Sequence, residues 1–197
     1  MPKRYFIGTA LLALCGLPIA PAYAVGKETI VFVRHGEKPK EEFGQLSCQG
    51  LNRALALPAV IKKAFGKPDT IFAPNPSDDR EDFDYLRPLA TIEPSAIAFG
   101  MPVNTRVAFY DTTRLVTALA DPTRRDSLVL VAWEGRKIPE AARKLLSDKG
   151  GDPSKVKDWD GGDFDSIYVV TIDWANGKAD FEQKSEGLNG QPESCPR

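Results

Sequence analysis

Histidine is almost absent from this chain: its 197 residues contain one, His35, together with only three cysteines and two methionines. Any imidazole chemistry must therefore centre on a single residue. An excess of basic charge is also missing, since 26 Lys and Arg stand against 27 Asp and Glu, for a net charge of −1. That balance argues against nucleic acid as a partner, which calls for a basic patch or stripe, and requires any phosphate recognition to be local. Internal repeats and low-complexity tracts are absent from the body of the chain. With 42% hydrophobic and 27% charged residues, the composition is that of one folded domain.

The one long apolar run is at the start. Met1-Pro-Lys-Arg precedes the stretch Tyr5 to Ala20, followed by Ala22-Tyr23-Ala24. This order of basic, apolar and small-x-small segments predicts a cleaved signal peptide over 1–24, a domain over 25–197, and a periplasmic or secreted location. Gly8, Gly16, Pro18 and Pro21 interrupt the run, which is short beside the ~20 residues of a membrane span, so no stable anchor is expected after cleavage. Leu14 before Cys15 disfavours lipid attachment. Cleavage removes Cys15 and leaves Cys48 and Cys195, an even pair in an oxidising compartment, which predicts a disulfide.

Two patterns alternate through the rest. Thr29 to Val33 and Ser127 to Ala132 are unbroken apolar runs, as expected of strands covered on both faces. Shorter strands are predicted at Thr70 to Ala73, Met101 to Asn104, Ser166 to Ile172 and Ala179 to Gln183, the last two joined by the turn signal Ala175-Asn-Gly. Helices are expected from Ser47 as cap to Phe65 with a kink at Pro58, and over Arg87 to Phe99, Asp111 to Leu119 and Ile138 to Lys149. Leu51, Ala54, Leu55, Val60 and Ile61 form the expected core stripe of the first. Pro74 to Asp84 is predicted to be a loop, its acidic run a solvated surface rather than a calcium site. The alternation implies a three-layer α/β/α sandwich with a mostly parallel sheet, whose site lies at strand carboxyl ends. Arg34, Asn75 and Trp133-Glu134 fall at such ends.

Arg34-His35-Gly36 directly follows the first buried strand. An imidazole there can attack phosphorus while the adjacent guanidinium clamps phosphoryl oxygens, and Gly36 lets the backbone approach an anion closely. The hexapeptide Phe32-Val-Arg-His-Gly-Glu resembles the signature of the histidine phosphatase superfamily, the phosphoglycerate-mutase-like proteins. Leu46-Ser-Cys-Gln-Gly-Leu-Asn-Arg-Ala is similar to that family's following helix start, and Arg87-Pro-Leu-Ala to its second phosphate-binding arginine. The resemblance spans residues 29 to about 175. It implies a phosphohistidine intermediate at His35, phosphate held by Arg34 and Arg87, a small phosphorylated substrate, and neither metal nor organic cofactor.

The chain also departs from that family. A second catalytic histidine is expected after the strand ending at Ala132, where this sequence has Trp133-Glu134-Gly135-Arg136. Comparison with a Trp-Glu-His pattern aligns Gly135 with the missing imidazole and predicts that Gly135→His would raise activity. Glu134 and Asp111 are both candidates for the general acid, and Arg136 for a substitute cation. Two functions stay open: phosphomonoester hydrolysis, or a catalytically impaired relative that binds a phosphorylated ligand or a protein. The sequence is silent on oligomeric state.

Overall fold

The computed structural model describes residues 26–196, apart from Glu42, Asp78, Glu81 and Asp82. The predicted signal peptide lies outside the described residues, as does most of the acidic run. Among the described residues, eight strands and four α-helices follow in chain order: β1 (Lys27–Arg34), α1 (Cys48–Ala64), β2 (Thr70–Pro74), β3 (Asp79–Arg80), β4 (Phe83–Asp84), α2 (Arg87–Phe99), β5 (Val103–Val107), α3 (Thr112–Leu119), β6 (Leu128–Trp133), α4 (Lys137–Asp148), β7 (Ser166–Asp173) and β8 (Lys178–Ser185).

The main sheet has the order β5-β2-β6-β1-β7-β8. Its first four strands run parallel, and the β7–β8 hairpin adds an antiparallel edge. Successive side chains of a strand point to opposite faces, so one apolar strand can supply two cores. Ile30, Phe32, Val129 and Val131 pack with α3 and α4, while Val31, Val33, Leu130 and Ala132 pack with α1 and α2. This double burial is why β1 and β6 carry no polar alternation. After β1 the chain crosses to one face through α1, and after β6 to the other through α4. The crevice between these adjacent strand ends is a topological switch point, where open α/β sheets bind their ligands.

α1 is a single helix of 17 residues that continues through Pro58; packing of Ala54, Leu57 and Ile61 outweighs the missing backbone donor. Three local expectations are corrected. Leu55 is 52% exposed and faces away from that core. The segment 74–84 contains the small β3–β4 hairpin, and the third parallel strand begins at Val103 rather than Met101. Cys48 and Cys195 form the expected disulfide, 147 residues apart in sequence. No helix among the described residues is long and apolar enough to cross a membrane.

Far from the switch point, Glu28 enters β1 fully buried, its Oε2 accepting from Trp174 Nε1 at 3.0 Å and its Oε1 buried without a partner. Burial raises its pKa from the ordinary 4.5 to about 7. Because the folded state then binds the proton more tightly than the unfolded chain, this contribution to stability is full below about pH 4.5 and fades as pH rises to about 7. Glu186, also buried and raised to about 7, acts with the same sign. Glu28→Gln is expected to raise stability at pH 8, by on the order of 3 kcal/mol at most, and to flatten the decline between pH 5 and 8. Urea unfolding across that range measures it; an unchanged slope would mean that Glu28 is ionised throughout.

Candidate active site

β1 and β6 end side by side, with Arg34 in register with Trp133 and the His35 N–H donating to the Trp133 carbonyl at 3.1 Å. A cavity of about 260 Å³ opens there, lined by Arg34, His35, Arg87, Glu134, Gly135 and Arg136, and by Lys38, Trp159, Asp160 and Gly161. The structure thus brings together the four residues singled out in the sequence, Arg34, His35, Arg87 and Glu134.

His35 is 3% exposed, and its ring is flanked by Tyr85 and Phe164 at centroid distances of 6.1 and 6.2 Å. Its Nδ1 lies 2.8 Å from the Gly36 carbonyl oxygen. A carbonyl only accepts, so Nδ1 must carry the proton, and the lone pair of the neutral ring sits on Nε2. The Gly36 peptide is itself held: its N–H donates to Thr91 Oγ1 at 2.9 Å, and that hydroxyl donates to the Arg87 carbonyl at 2.8 Å. On its other side Gly36 touches the Gly50 backbone, where a Cβ would come within 3.0 Å. A side chain at 36 would push α1 off the site loop.

Arg34 is buried and held through one nitrogen: Nη1 donates to the carbonyls of Asp160, Gly161 and Asp163 at 3.2, 2.8 and 2.9 Å. Its guanidinium lies 4.2 Å over the Phe164 ring, and Nε is buried with no partner. Burial lowers its pKa from the usual arginine value, against the opposing pull of Glu134. Arg87, the first residue of α2, is 2% exposed and lies 5.1 Å over Tyr85. Each arginine therefore stacks on one of the two rings that flank the imidazole.

The acid candidates divide. Glu134 lines the cavity, but its Oε2 accepts from the backbone N–H groups of Arg136 and Lys137 at 2.8 and 3.0 Å, so it caps α4. Asp111 caps α3 through the Arg114 N–H at 2.9 Å and does not line the cavity. Arg136 is 79% exposed at the rim, 3.3 Å from Glu134.

The surroundings of Gly135 argue against the expectation attached to it. A Cβ there would lie 2.8 Å from Arg34 Nε and 2.9 Å from Arg34 Cδ, closer than packed atoms tolerate. Arg34 occupies the space that a side chain at 135 would need, and its three carbonyl bonds oppose any retreat. Gly135→His is therefore expected to lower function rather than raise it. Gly135→Ala, the milder probe, is expected to weaken inorganic phosphate binding roughly 10- to 100-fold, the worth of one charge-assisted contact. Calorimetric titration measures this, and unchanged affinity in the folded variant would remove Arg34 from the phosphate site.

Sequence reasoning missed Tyr85, Phe164 and the Trp159 to Asp163 loop. That loop acts through main-chain carbonyls, which leave no side-chain signature; the only hint was the glycine and aspartate density of Asp158 to Asp165.

No protein-family model matches the chain, and no curated protein matches it. Solved structures do. A protein assigned as the phosphohistidine phosphatase SixA of Nakamurella multipartitia superposes with a TM-score of 0.57 at 17% identity, over 81% of this chain and 96% of that one. A mycobacterial glucosyl-3-phosphoglycerate phosphatase, solved with inorganic phosphate, gives 0.52 at 14%, over 79% and 95%. A phosphoglycerate mutase of Bacillus anthracis gives 0.52 at 11%, over 84% and 96%. The layer order, the antiparallel edge and these superpositions agree: the chain has the phosphoglycerate-mutase-like fold.

Proposed function

We propose that the protein is an exported phosphomonoesterase acting through a phosphohistidine at His35. The observation that carries this reading is the Nδ1 contact with the Gly36 carbonyl, which leaves the attacking lone pair on Nε2 of a ring that lines a cavity bordered by two buried arginines. Nε2 forms the bond to phosphorus as the ester P–O bond breaks, and the oxygen departs with its electron pair. Water then takes the phosphoryl group from Nε2 and restores the imidazole. Arg34 and Arg87 offset the charge on the phosphoryl oxygens, and the unpartnered Arg34 Nε is a buried donor that such an oxygen would satisfy. No metal or organic cofactor enters this scheme. The disulfide and the leader-like first 24 residues support export.

One observation favours the second reading, a binder of phosphorylated ligands. Glu134 caps α4, so its carboxylate is committed away from leaving-group protonation. If the enzyme works without a dedicated acid, its rate must depend steeply on leaving-group acidity, with aryl phosphates far ahead of alkyl phosphates. Assays on a phosphate-ester series, with trapping of the phosphoenzyme, decide between the readings. Inorganic phosphate binding without turnover of any ester would leave the binder.

A further inference from the structure

Two irregular segments wall the cavity, the loop after β1 that carries His35, Gly36 and Glu37, and the 157–165 loop that supplies the carbonyls under Arg34. Neither has a ladder of its own. Arg53, in the second turn of α1, is 1% exposed and joins them. Its Nε donates to both Glu37 oxygens at 3.1 and 3.0 Å and its Nη2 to Oε1 at 2.8 Å, while Nη1 reaches Asp165 at 3.3 Å and Glu186 at 2.7 Å.

Both ends of this bridge lead to reacting groups. Glu37 is two residues beyond His35, and its carbonyl accepts from the Ser47 N–H at 2.9 Å and hydroxyl at 3.2 Å. Asp165 follows Phe164, which packs on both His35 and Arg34, and lies two residues after Asp163, whose carbonyl holds Arg34. Asp165 also receives the N–H groups of Gly187 and Leu188, which ties in the chain after β8. Stability alone is a weak reason for such a group, since a buried ion cluster is often no more stable than an apolar replacement of the same volume. A planar fork, by contrast, fixes two carboxylates at a set separation.

We infer that Arg53 is a positioning residue, which by clasping Glu37 to Asp165 sets the Gly36 carbonyl that fixes the His35 tautomer and the 160–163 carbonyls that hold Arg34. It touches no reacting atom. The inference builds on the roles proposed for His35 and Arg34, but its first readout needs no turnover.

His35 is the only histidine in the chain, so imidazole nitrogen NMR of the oxidised, histidine-labelled protein reports it without assignment. The wild type is expected to show Nδ1 protonated in the neutral ring. Arg53→Met and Arg53→Lys are each expected to give a mixture of tautomers and to weaken inorganic phosphate binding at least about tenfold, since the lysine keeps the charge but not the fork. A purely structural role predicts a lower melting temperature with the tautomer and phosphate affinity of the folded protein unchanged, and that result overturns the inference. Should neither Arg53 variant fold, Glu37→Gln, changed at the partly exposed end of the clasp, is expected to shift the tautomer in the same direction; an unshifted ring would overturn it equally. An Arg53-dependent tautomer in a protein that hydrolyses no ester upholds the clasp and sinks the phosphatase reading. Turnover with an Arg53-independent tautomer sinks the clasp alone.

Discussion

Replacing His35 with alanine is expected to lower phosphomonoester turnover by at least about 10⁴-fold and to leave no acid-labile phosphoenzyme, the scale of loss seen when a nucleophile is deleted elsewhere. No second imidazole exists to take over. The fold should persist, because the ring lies beyond the end of β1, and its hydrogen bond to Gly36 is worth about 1 kcal/mol. Tyr85 and Phe164 would be left facing a void of imidazole shape. Rate measurements and phosphoenzyme trapping at matched folded fraction check the result; full turnover in the variant would place the nucleophile elsewhere.

Converting both Cys48 and Cys195 to serine is expected to cost roughly 4 to 5 kcal/mol of stability on the chain-entropy model, because the bond closes a loop of 147 residues. Its effect should extend beyond the unfolded chain. The segment after Ser185 runs back across the start of α1, where Asn52 Nδ2 donates to the carbonyls of Pro192 and Ser194 at 2.8 and 2.9 Å, and where Glu186 meets Arg53. Freed of the bond, that segment should fray first and α1 should lose support beside Gly36. Urea unfolding with and without reductant measures the energy, and a midpoint indifferent to reductant would show that the bond contributes nothing.

What could be read from the sequence was what side-chain pattern encodes. β1 and β6 are legible because burial on both faces removes every polar residue from them. α2 is legible to the residue because Arg87-Pro88 opens it and Gly100 closes it in the left-handed conformation that glycine tolerates best. The disulfide followed from there being only two cysteines beyond residue 24. Other features depend on tertiary context. Leu55 looks like core and Arg53 like surface, yet their exposures are 52% and 1%, because three carboxylates from distant segments converge on the guanidinium. Gly135 reads as the vacated position of a histidine; that Arg34 folds against it, where a Cβ would stand, only the structure shows. Glu134 reads as an acid for catalysis; only the structure shows its carboxylate accepting from backbone N–H groups at the start of α4, three residues later.

The direction of β1 sets how the molecule can be held. The strand begins at Lys27 and runs eight residues to Arg34, so at about 3.3 Å per residue His35 stands some 25 Å from the point where the first residues join the domain. A tether at the amino end, whether a retained leader, a lipid or an affinity tag on a surface, would leave the cavity pointing into open solution. A fusion at the carboxyl end would emerge beside Cys195, against the start of α1 and next to the loop that carries the imidazole. For immobilised assays or pull-downs with phosphorylated baits, the amino end is the one to hold.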